Sequence, residues 1–394
     1  MRRTGSGRRK WLRRFLLLLA LAGIGFFGFL PGYVDGQRNA VKPHDPYPVT
    51  ASAQALHDDL IIGDWHADPL LWKRDLTRRN SRGQIDIPRL QEGNVALQVF
   101  TAVTKAPMGL NYEHNDPDTL DNITLLAIAQ LWPLPTWTSL KERALYQAHK
   151  LELFAEKRPD DLMIIRTRAD LETVLQRRAA GQPVVGAILG IEGAHPLEGR
   201  IGNLDVLERA GYRLIALQHF FDNELGGTLH SRENNGLTDF GREVVREVAR
   251  RGMILDIAHS SENVVREVLE MTDIPLVLSH SGIKSHCETR RNLPDELMRR
   301  IAATGGVIGI GYWQEVTCDD SLEGIVKSIL AAIALVGEDA VSLGSDFDGA
   351  VTTSLDASEL PALTQALLDA GLSEARIRKV MGENMLRVLR ARLK

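Results

Sequence analysis

Eight short apolar runs dominate the hydrophobic pattern of the chain after its first 58 residues. Most of them are continuous runs of Val, Ile, Leu and Ala rather than alternations with polar residues. This pattern is typical of parallel strands that are buried on both faces. The predicted strands span 60–64, 95–101, 184–191, 213–218, 253–258, 275–279, 306–312 and 340–345.

Helical patterns lie between these runs. The clearest is 238–251, in which Val244, Val245 and Val248 share one face and Gly252 follows as a stop signal. Eight strands alternating with helices predict an α/β fold, a (β/α)8 TIM-like barrel. The stretch 103–182 is predicted as an insertion after strand 2, with a helical pattern over 123–157, and 356–392 as two closing helices.

The amino terminus has a different pattern. Seven basic residues and no acidic residue precede position 35, and the run 15–34 carries no charge. This favours an uncleaved transmembrane signal anchor over a cleaved signal peptide, with the basic side in the cytoplasm and the rest exported to the periplasm or exterior. The predicted organisation is a basic terminus and anchor over 1–34, a proline-rich spacer over 35–55 and a catalytic barrel over 56–394.

Chain length restricts the number of domains, and net charge restricts the class of partner. The chain has 394 residues, which suit one large barrel with insertions. Its net charge is −4, and the seven basic residues of the terminus leave −11 on the remainder, which argues against nucleic acid as a partner. Two cysteines, Cys287 and Cys318, are too few for a disulfide scaffold. Unpaired packing residues are favoured, with a disulfide as the alternative.

Candidate chemistry follows the predicted strands. Barrel active sites lie at the carboxyl ends of the strands, and seven acidic or imidazole side chains fall there: His66, Asp68, Glu192, His219, His259, His280 and Asp346. Such groups are costly as buried packing residues, whereas as ligands they suit a divalent metal. The positions predict an enzyme with a metal site at the mouth of the barrel.

Individual roles follow from spacing. Alternation along an extended segment points His66 and Asp68 to the same side, where both could bind one metal ion. Glu192 could bridge that ion and a second one. His259 and His280 could complete the ligands of the second ion. A hydroxide held between the two ions would be the nucleophile. The alternatives are a structural hydrogen-bonded pair for His66 and Asp68, and satisfied core histidines for the other two.

Two further motifs carry charge at the barrel mouth. Asp346 ends strand 8 and is the better candidate for proton transfer, whereas Asp348 could cap a turn with Gly349. Arg290 and Arg291 follow strand 6. Either could be a solvated charge, or could hold a substrate carboxylate through two parallel hydrogen bonds.

Taken in order, these motifs resemble those of the membrane dipeptidase (renal dipeptidase) family, within the metal-dependent amidohydrolase superfamily. The resemblance covers about 58–390. It rests on the segments Gly-Asp-Trp-His-Ala-Asp at 63–68, Gly-Ile-Glu-Gly-Ala-His at 190–195, Leu-Gln-His at 217–219, Asp-Ile-Ala-His at 256–259, Ser-His-Ser at 279–281, Thr-Arg-Arg-Asn at 289–292, Gly-Ser-Asp-Phe-Asp-Gly at 344–349 and Gly-Glu-Asn-Met-Leu-Arg at 382–387.

The resemblance implies two Zn²⁺ per chain. It assigns His66 and Asp68 to one ion and His259 and His280 to the other, with Glu192 between them. It further implies that His219 contacts the substrate and its tetrahedral intermediate, that Arg291 rather than Arg290 binds the substrate carboxylate, and that Asp346 is the family's acid after strand 8. Trp65 and Ala67 depart from the glycine and asparagine usual in animal members, which leaves side-chain specificity open.

The function implied is hydrolysis of dipeptides with a free carboxyl terminus by a metal-bridging hydroxide. Two alternatives stand beside it: hydrolysis of a lactam, a lactone or an N-acyl amino acid on the same centre, and a membrane-tethered scaffold with a decayed site. Retention of all five candidate ligands argues against the scaffold. The expected partners are a dipeptide and the membrane, with a homodimer as the candidate assembly.

Overall fold

A computed structural model describes residues 5–116 and 118–394. Nine strands occur in this part of the chain. In chain order they are β1 Ile62–Ala67, β2 Val95–Val103, β3 Leu162–Ile164, β4 Val185–Glu192, β5 Tyr212–Ala216, β6 Ile254–Asp256, β7 Val277–Ser281, β8 Val307–Ile310 and β9 Val341–Leu343.

Eight of the strands form a closed parallel barrel. Their order is β1-β2-β4-β5-β6-β7-β8-β9, and β9 pairs with β1 to close the ring. Every predicted strand is present, so the (β/α)8 prediction is confirmed. The short β3 was not predicted. It lies in the insertion and pairs with the beginning of β4 through three residues, too few to give a periodic signal.

Helices surround the barrel. They are α1 Gly5–Gly23, α2 Leu30–Arg38, α3 Ala51–Asp58, α4 Ile87–Glu92, α5 Asn122–Ala129, α6 Leu140–Lys157, α7 Arg168–Ala179, α8 Gly202–Arg209, α9 Asp239–Arg251, α10 Glu262–Met271, α11 Asp295–Ala303, α12 Gln314–Thr317, α13 Leu322–Val336, α14 Leu360–Asp369, α15 Glu374–Arg378 and α16 Asn384–Arg392.

The best-patterned helix, α9, forms where the sequence predicts it. The Thr238 side chain accepts a hydrogen bond from the Gly241 amide at its start. At its end Gly252 takes the left-handed conformation, with φ 78°, which a residue with a side chain rarely adopts. Val244, Val245 and Val248 are buried against the barrel, so the apolar face sets the packing direction.

Two helical predictions are corrected. The pattern over 123–157 is divided into α5 and α6, because Pro133 and Pro135 lie between them and proline cannot continue a helix. The closing segment contains three helices rather than two, since a kink at Gly382, in the π-helical turn Lys379–Glu383, divides its last helical run into α15 and α16.

The interior of the barrel is divided into an apolar and a polar layer. Fully buried apolar side chains fill the half near the amino ends of the strands, and α16 closes it with Val388 and Leu389. Polar and charged side chains occupy the half at the carboxyl ends. The apolar layer fixes the strands, and the ends of those strands therefore hold the polar groups in place.

The two cysteines form a disulfide, which overturns the expectation of unpaired packing residues. Cys287 and Cys318 are 31 residues apart in sequence, with 5.4 Å between their Cα atoms. Sequence separation could not predict this, because the loops after β7 and β8 meet only in the folded barrel. A structural disulfide is typical of an oxidising compartment outside the cytoplasm.

A long apolar helical segment precedes the barrel. Helix α1, a π-helical turn at Ile24–Phe29 and α2 continue one into the next, and the span from Arg9 to Arg38 has a mean hydropathy of 2.2 over its most apolar window and is long enough to cross a membrane. A signal sequence near the amino terminus has the same length and composition. The apolar side chains of this span, such as Leu17, Leu18 and Phe29, are exposed.

Residues predicted as a spacer contact the barrel directly. Asp35 pairs with Arg82 at 2.8 Å, the Lys42 amide donates to the Thr353 carbonyl at 2.8 Å, and the Tyr47 hydroxyl donates to the Ser354 carbonyl at 2.7 Å. The segment therefore lies along the loops after β1 and β9. The division of the chain into anchor, spacer and barrel stays a prediction.

Candidate metal centre

The seven candidate residues at strand ends converge at one end of the barrel. His66 and His280 lie near the ends of β1 and β7, and Glu192 is the last residue of β4. The others follow a strand within one to three residues: Asp68, His219, His259 and Asp346. All seven are buried. A cluster of buried imidazoles and carboxylates requires a compensating cation or shared protons.

Glu192, His259 and His280 form the first ligand group. Glu192 Oε1 lies 3.2 Å from His259 Nε2 and 3.3 Å from His280 Nε2, and the two nitrogens are 3.0 Å apart. Two imidazole lone pairs face each other here, which is unfavourable without a cation between them. Tetrahedral Zn²⁺ with bonds of about 2.0–2.1 Å separates its ligand atoms by about 3.3 Å. The three side chains fit a zinc ion.

His66, Asp68 and Glu192 form the second group. His66 Nε2 lies 3.4 Å from Glu192 Oε1 and 3.6 Å from Asp68 Oδ2. The Thr101 hydroxyl lies within hydrogen-bond distance of both the Asp68 carboxylate and the Ala67 carbonyl, and its one hydrogen orients the acid when it is donated to the carboxylate. Because Glu192 belongs to both groups, the arrangement suits two cations that share one carboxylate.

Asp346 lies beside both groups. Its Oδ1 is 3.7 Å from His66 Nε2, and it forms a third close cluster with His66 and His280. Burial raises the pKa of Asp346 well above its usual range, and the nearby carboxylates of Asp68 and Glu192 raise it further. A carboxyl group that holds a proton in this position can exchange one with a bound molecule.

Three histidines are oriented by hydrogen bonds at their Nδ1 atoms. His280 Nδ1 lies 2.7 Å from Ser279 Oγ, His219 Nδ1 lies 3.0 Å from the Lys105 carbonyl, and His259 Nδ1 lies 2.9 Å from His230 Nε2. A carbonyl can only accept, so His219 carries its hydrogen on Nδ1. In each ring Nε2 is then directed to the centre of the site, as a metal ligand requires.

Two site residues have unusual backbone conformations. His259 and Asp346 both lie in the left-handed region, with φ of 64° and 60°. Such conformations cost of order 1–3 kcal/mol and cluster at functional sites. Here each one turns the chain sharply after a strand and directs the side chain across the barrel mouth.

The two adjacent arginines point in different directions. Arg290 is exposed and donates to the Leu229 carbonyl at 2.6 Å, so it holds a loop. Arg291 is 1% exposed, and its Nη2 donates to the His280 carbonyl at 2.6 Å. Within the described residues, its Nε and Nη1 have no hydrogen-bond partner. Unsatisfied buried guanidinium donors beside a metal centre suit an anionic ligand.

Other motif acids support the barrel rather than the centre. Asp64 Oδ1 accepts from the amides of His66 and Ser345, which joins β1 to the loop after β9. Asp256 Oδ1 accepts from the Ser279 amide and joins β6 to β7. Asp348 pairs with Arg74 and accepts from the Gln84 amide, so it lies outside the metal centre.

A cavity that opens to solvent lies above the centre. Asp68, Glu192, His219, His259 and Asp346 form its floor, and much of its wall is apolar. The wall includes side chains that sequence reasoning missed: Val34, Arg38, Leu71, Trp72, Leu110, Tyr112, Ile123, Leu126, Phe220 and Trp313. They come from loops, from α2 and from α5, and no strand-end signal marks them.

His230 was also missed. It connects His259 to the insertion loop, because its Nδ1 lies 2.7 Å from the Tyr112 carbonyl. That carbonyl accepts, so His230 carries its hydrogen on Nδ1 and accepts on Nε2 from His259. The contact fixes the tautomer of His259. A lone histidine in a loop gives no sequence signal for such a role.

Comparison with known proteins places this site in a family. A sequence model of the membrane dipeptidases, peptidase family M19, matches residues 50–393. The dipeptidase tcpJ of Claviceps purpurea (strain 20.1) is 28% identical over 324 residues, which cover 78% of this chain and 69% of that protein.

Solved structures give the same result. A metallopeptidase called dipeptidase AC, of family M19, is 25% identical and covers 85% of this chain and 99% of its own, with a TM-score of 0.69. A metallopeptidase from Rhodobacter sphaeroides, solved with a phosphinate mimic of the dipeptide L-Ala-D-Ala, is 25% identical over 84% of this chain and 99% of its own, with a TM-score of 0.68. The chain belongs to the membrane dipeptidase family and is a metallo-dipeptidase.

Proposed function

We propose that this metallo-dipeptidase uses two Zn²⁺ ions to hydrolyse dipeptides that have a free carboxyl terminus. The observation that carries the proposal is the pair of ligand groups that share Glu192. Imidazole and carboxylate ligands are suitable for zinc. His66 and Asp68 would hold one ion, His259 and His280 the other, and Glu192 both.

The ions would supply a Lewis acid and a hydroxide nucleophile at neutral pH. The side chains of this chain perform the remaining steps. Asp346 accepts the proton of the attacking water at a carboxylate oxygen and delivers it to the nitrogen of the leaving amine. Its raised pKa and its position beside both ligand groups suit this exchange.

His219 is proposed to contact the substrate. Its Nε2 lies 3.4 Å from Glu192 Oε2, and its ring forms part of the cavity floor. In its protonated form it could donate a hydrogen bond to the oxygen on which negative charge develops as the amide carbon becomes tetrahedral.

Arg291 is proposed to bind the substrate's carboxylate. Its Nε and Nη1 are buried donors with no partner among the residues described, and Nη2 lies 3.4 Å from His259 Nε2. A guanidinium presents two parallel donors to a carboxylate. A carboxylate bound there would hold the adjacent peptide bond over the metal centre. Hydrolysis of a lactone, which has no such carboxylate, would make no use of Arg291.

The apolar amino-terminal helix is proposed to anchor the enzyme, with the barrel outside the cytoplasm. The basic residues that precede the apolar run favour retention of that end in the cytoplasm. The Cys287–Cys318 disulfide supports the same orientation, since cytoplasmic thiols are kept reduced.

A comparison of two substrates tests the proposal. A dipeptide such as L-Ala-L-Ala should be hydrolysed much faster than its carboxyl-terminal amide, and a chelator should abolish activity until zinc is restored. L-Ala-D-Ala belongs in the panel because a structurally similar metallopeptidase was solved with its mimic. Equal rates for the free acid and the amide would contradict the role of Arg291.

A further inference from the structure

The cavity above the metal centre is completed by a segment that precedes the family match at residues 50–393. Val34 and Arg38, both on α2, line the same cavity as Glu192 and Asp346. They are four residues apart, so they lie on one face of the helix. Val34 packs against the apolar cluster that contains Trp72 and Ile123.

Ionic and polar contacts fix α2 in this position. Asp35 is 1% exposed and pairs with Arg82 at 2.8 Å and Arg74 at 3.2 Å. Asn39 donates to Asp35 Oδ1 at 2.8 Å and accepts from the Ala350 amide at 3.0 Å. Ala350 follows β9 and lines the cavity too, so α2 is joined to the rim of the barrel.

Arg38 is the cation on this wall. Among the lining residues in the described chain it is the only lysine or arginine. It is exposed, and across residues 5–116 and 118–394 no carboxylate lies within ion-pair distance of it. Val34, on the same face of α2, belongs to the apolar cluster of Leu71, Trp72 and Leu126, which also line the cavity. A free guanidinium on an apolar wall suits a ligand with methylene groups and a terminal anion.

The barrel order indicates which end of a dipeptide reaches this wall. Leu71 and Trp72 follow β1 and Leu126 lies in the insertion after β2, whereas Arg291 follows β7. In the eight-stranded ring, β2 is diametrically opposite β7. A substrate whose carboxylate is bound by Arg291 and whose peptide bond lies over the centre therefore extends its amino-terminal residue towards α2.

We propose that Arg38 is a specificity-determining residue that favours dipeptides with an acidic side chain on the amino-terminal residue. The proposal rests on the dipeptidase function proposed above. The apolar wall contacts the methylene groups of a glutamate side chain, and Arg38 pairs with its carboxylate. The helix that carries the anchor is then also part of the substrate site.

The test uses the full-length chain in detergent or nanodiscs and compares L-Glu-L-Ala, L-Gln-L-Ala and L-Lys-L-Ala. Wild type should favour L-Glu-L-Ala over L-Gln-L-Ala by about 3- to 10-fold in kcat/KM, the size of an exposed or half-buried ion pair. Arg38→Gln should remove this preference, and Arg38→Glu should reverse it in favour of L-Lys-L-Ala. Each ratio is measured within one variant, so differences in yield cancel.

Two controls make the result specific. Arg246→Glu makes the same charge change at an exposed arginine on the outer helix α9 and should leave the ratio unchanged. L-Ala-L-Glu and L-Ala-L-Gln place the acidic side chain at the other end, and Arg38→Gln should not change their ratio. A preference that persists in Arg38→Gln, or a shift in the second pair instead, overturns the proposal. Wild type that hydrolyses no dipeptide contradicts the proposed function itself.

Discussion

The two sides of the cavity are built differently. The metal side consists of strand-end residues that are buried and oriented by hydrogen bonds, such as His280 with Ser279 and Asp68 with Thr101. The opposite wall consists of apolar side chains from loops, α2 and α5, with an exposed arginine. Rigid elements suit groups that must meet within tenths of an ångström, whereas peripheral segments can vary without disturbing the chemistry. Changes on the metal side should therefore impair every substrate, and changes on the wall should alter selectivity.

Glu192→Gln should have the largest effect of all. A neutral amide cannot neutralise two cations, so the variant should lose zinc from both positions, and kcat/KM should fall by about 10⁴-fold or more. Elemental analysis and kinetics on several dipeptides provide the measurement. Glu156→Gln, on the exposed side of α6, is the matched control and should change neither quantity. A loss no greater than that of His66→Ala or His280→Ala would mean that Glu192 does not serve both groups.

Asp346→Asn should have the second-largest effect on activity. The amide keeps the size of the side chain but cannot accept and return a proton, so we expect kcat to fall by about 10²–10⁴ with zinc content retained. The loss should be similar for all dipeptides, because proton transfer does not depend on their side chains. Loss of a zinc ion would show that Asp346 is a ligand, and an unchanged kcat would assign the proton to another group.

Arg291→Lys should weaken transition-state binding by about 1–3 kcal/mol, because lysine keeps the charge and loses the paired donors. The fall in kcat/KM should appear with free dipeptides and be absent with their carboxyl-terminal amides. Arg290→Lys is the neighbouring control and should have little effect, since the guanidinium of Arg290 donates to the loop carbonyls of Leu229 and Ser231. Equal losses for the two arginine variants would contradict the assignment.

His230→Phe should have the smallest effect on activity at saturating zinc. It leaves His259 Nδ1 without its acceptor, and loss of such a partner typically costs about 10–100-fold in metal affinity. Zinc titration with a competing chelator should show the weaker binding, and added zinc should restore most of the activity. His286→Phe, at an exposed histidine, should bind zinc as wild type does. Wild-type zinc affinity in His230→Phe would show that His230 does not support zinc binding by His259.

The difference between the metal side and the opposite wall of the cavity also explains which site residues the sequence could predict. Glu192, His259 and His280 follow or end continuous apolar runs, and a closed barrel brings such positions together whatever the loops do. Arg290 and Arg291 could not be separated by spacing alone, because their roles depend on the direction of two adjacent side chains in a loop.

The wall could not be predicted at all. Val34 and Arg38 are held at the cavity by the ion pairs of Asp35 with Arg74 and Arg82, which lie about 40 to 50 residues further along the chain. The disulfide joins two loops that are distant in sequence for the same reason. Contacts of this kind depend on tertiary structure and leave no local pattern.

A zinc titration of the metal-free enzyme tests the central claim most directly. The full-length protein is stripped with a chelator, zinc is returned in measured equivalents, and bound zinc and hydrolysis of L-Ala-L-Ala are followed together. The shared position of Glu192 between two ligand groups predicts that two equivalents bind and that full activity requires both. Full activity with only trace metal, or saturation of both binding and activity at one equivalent, would contradict the binuclear centre.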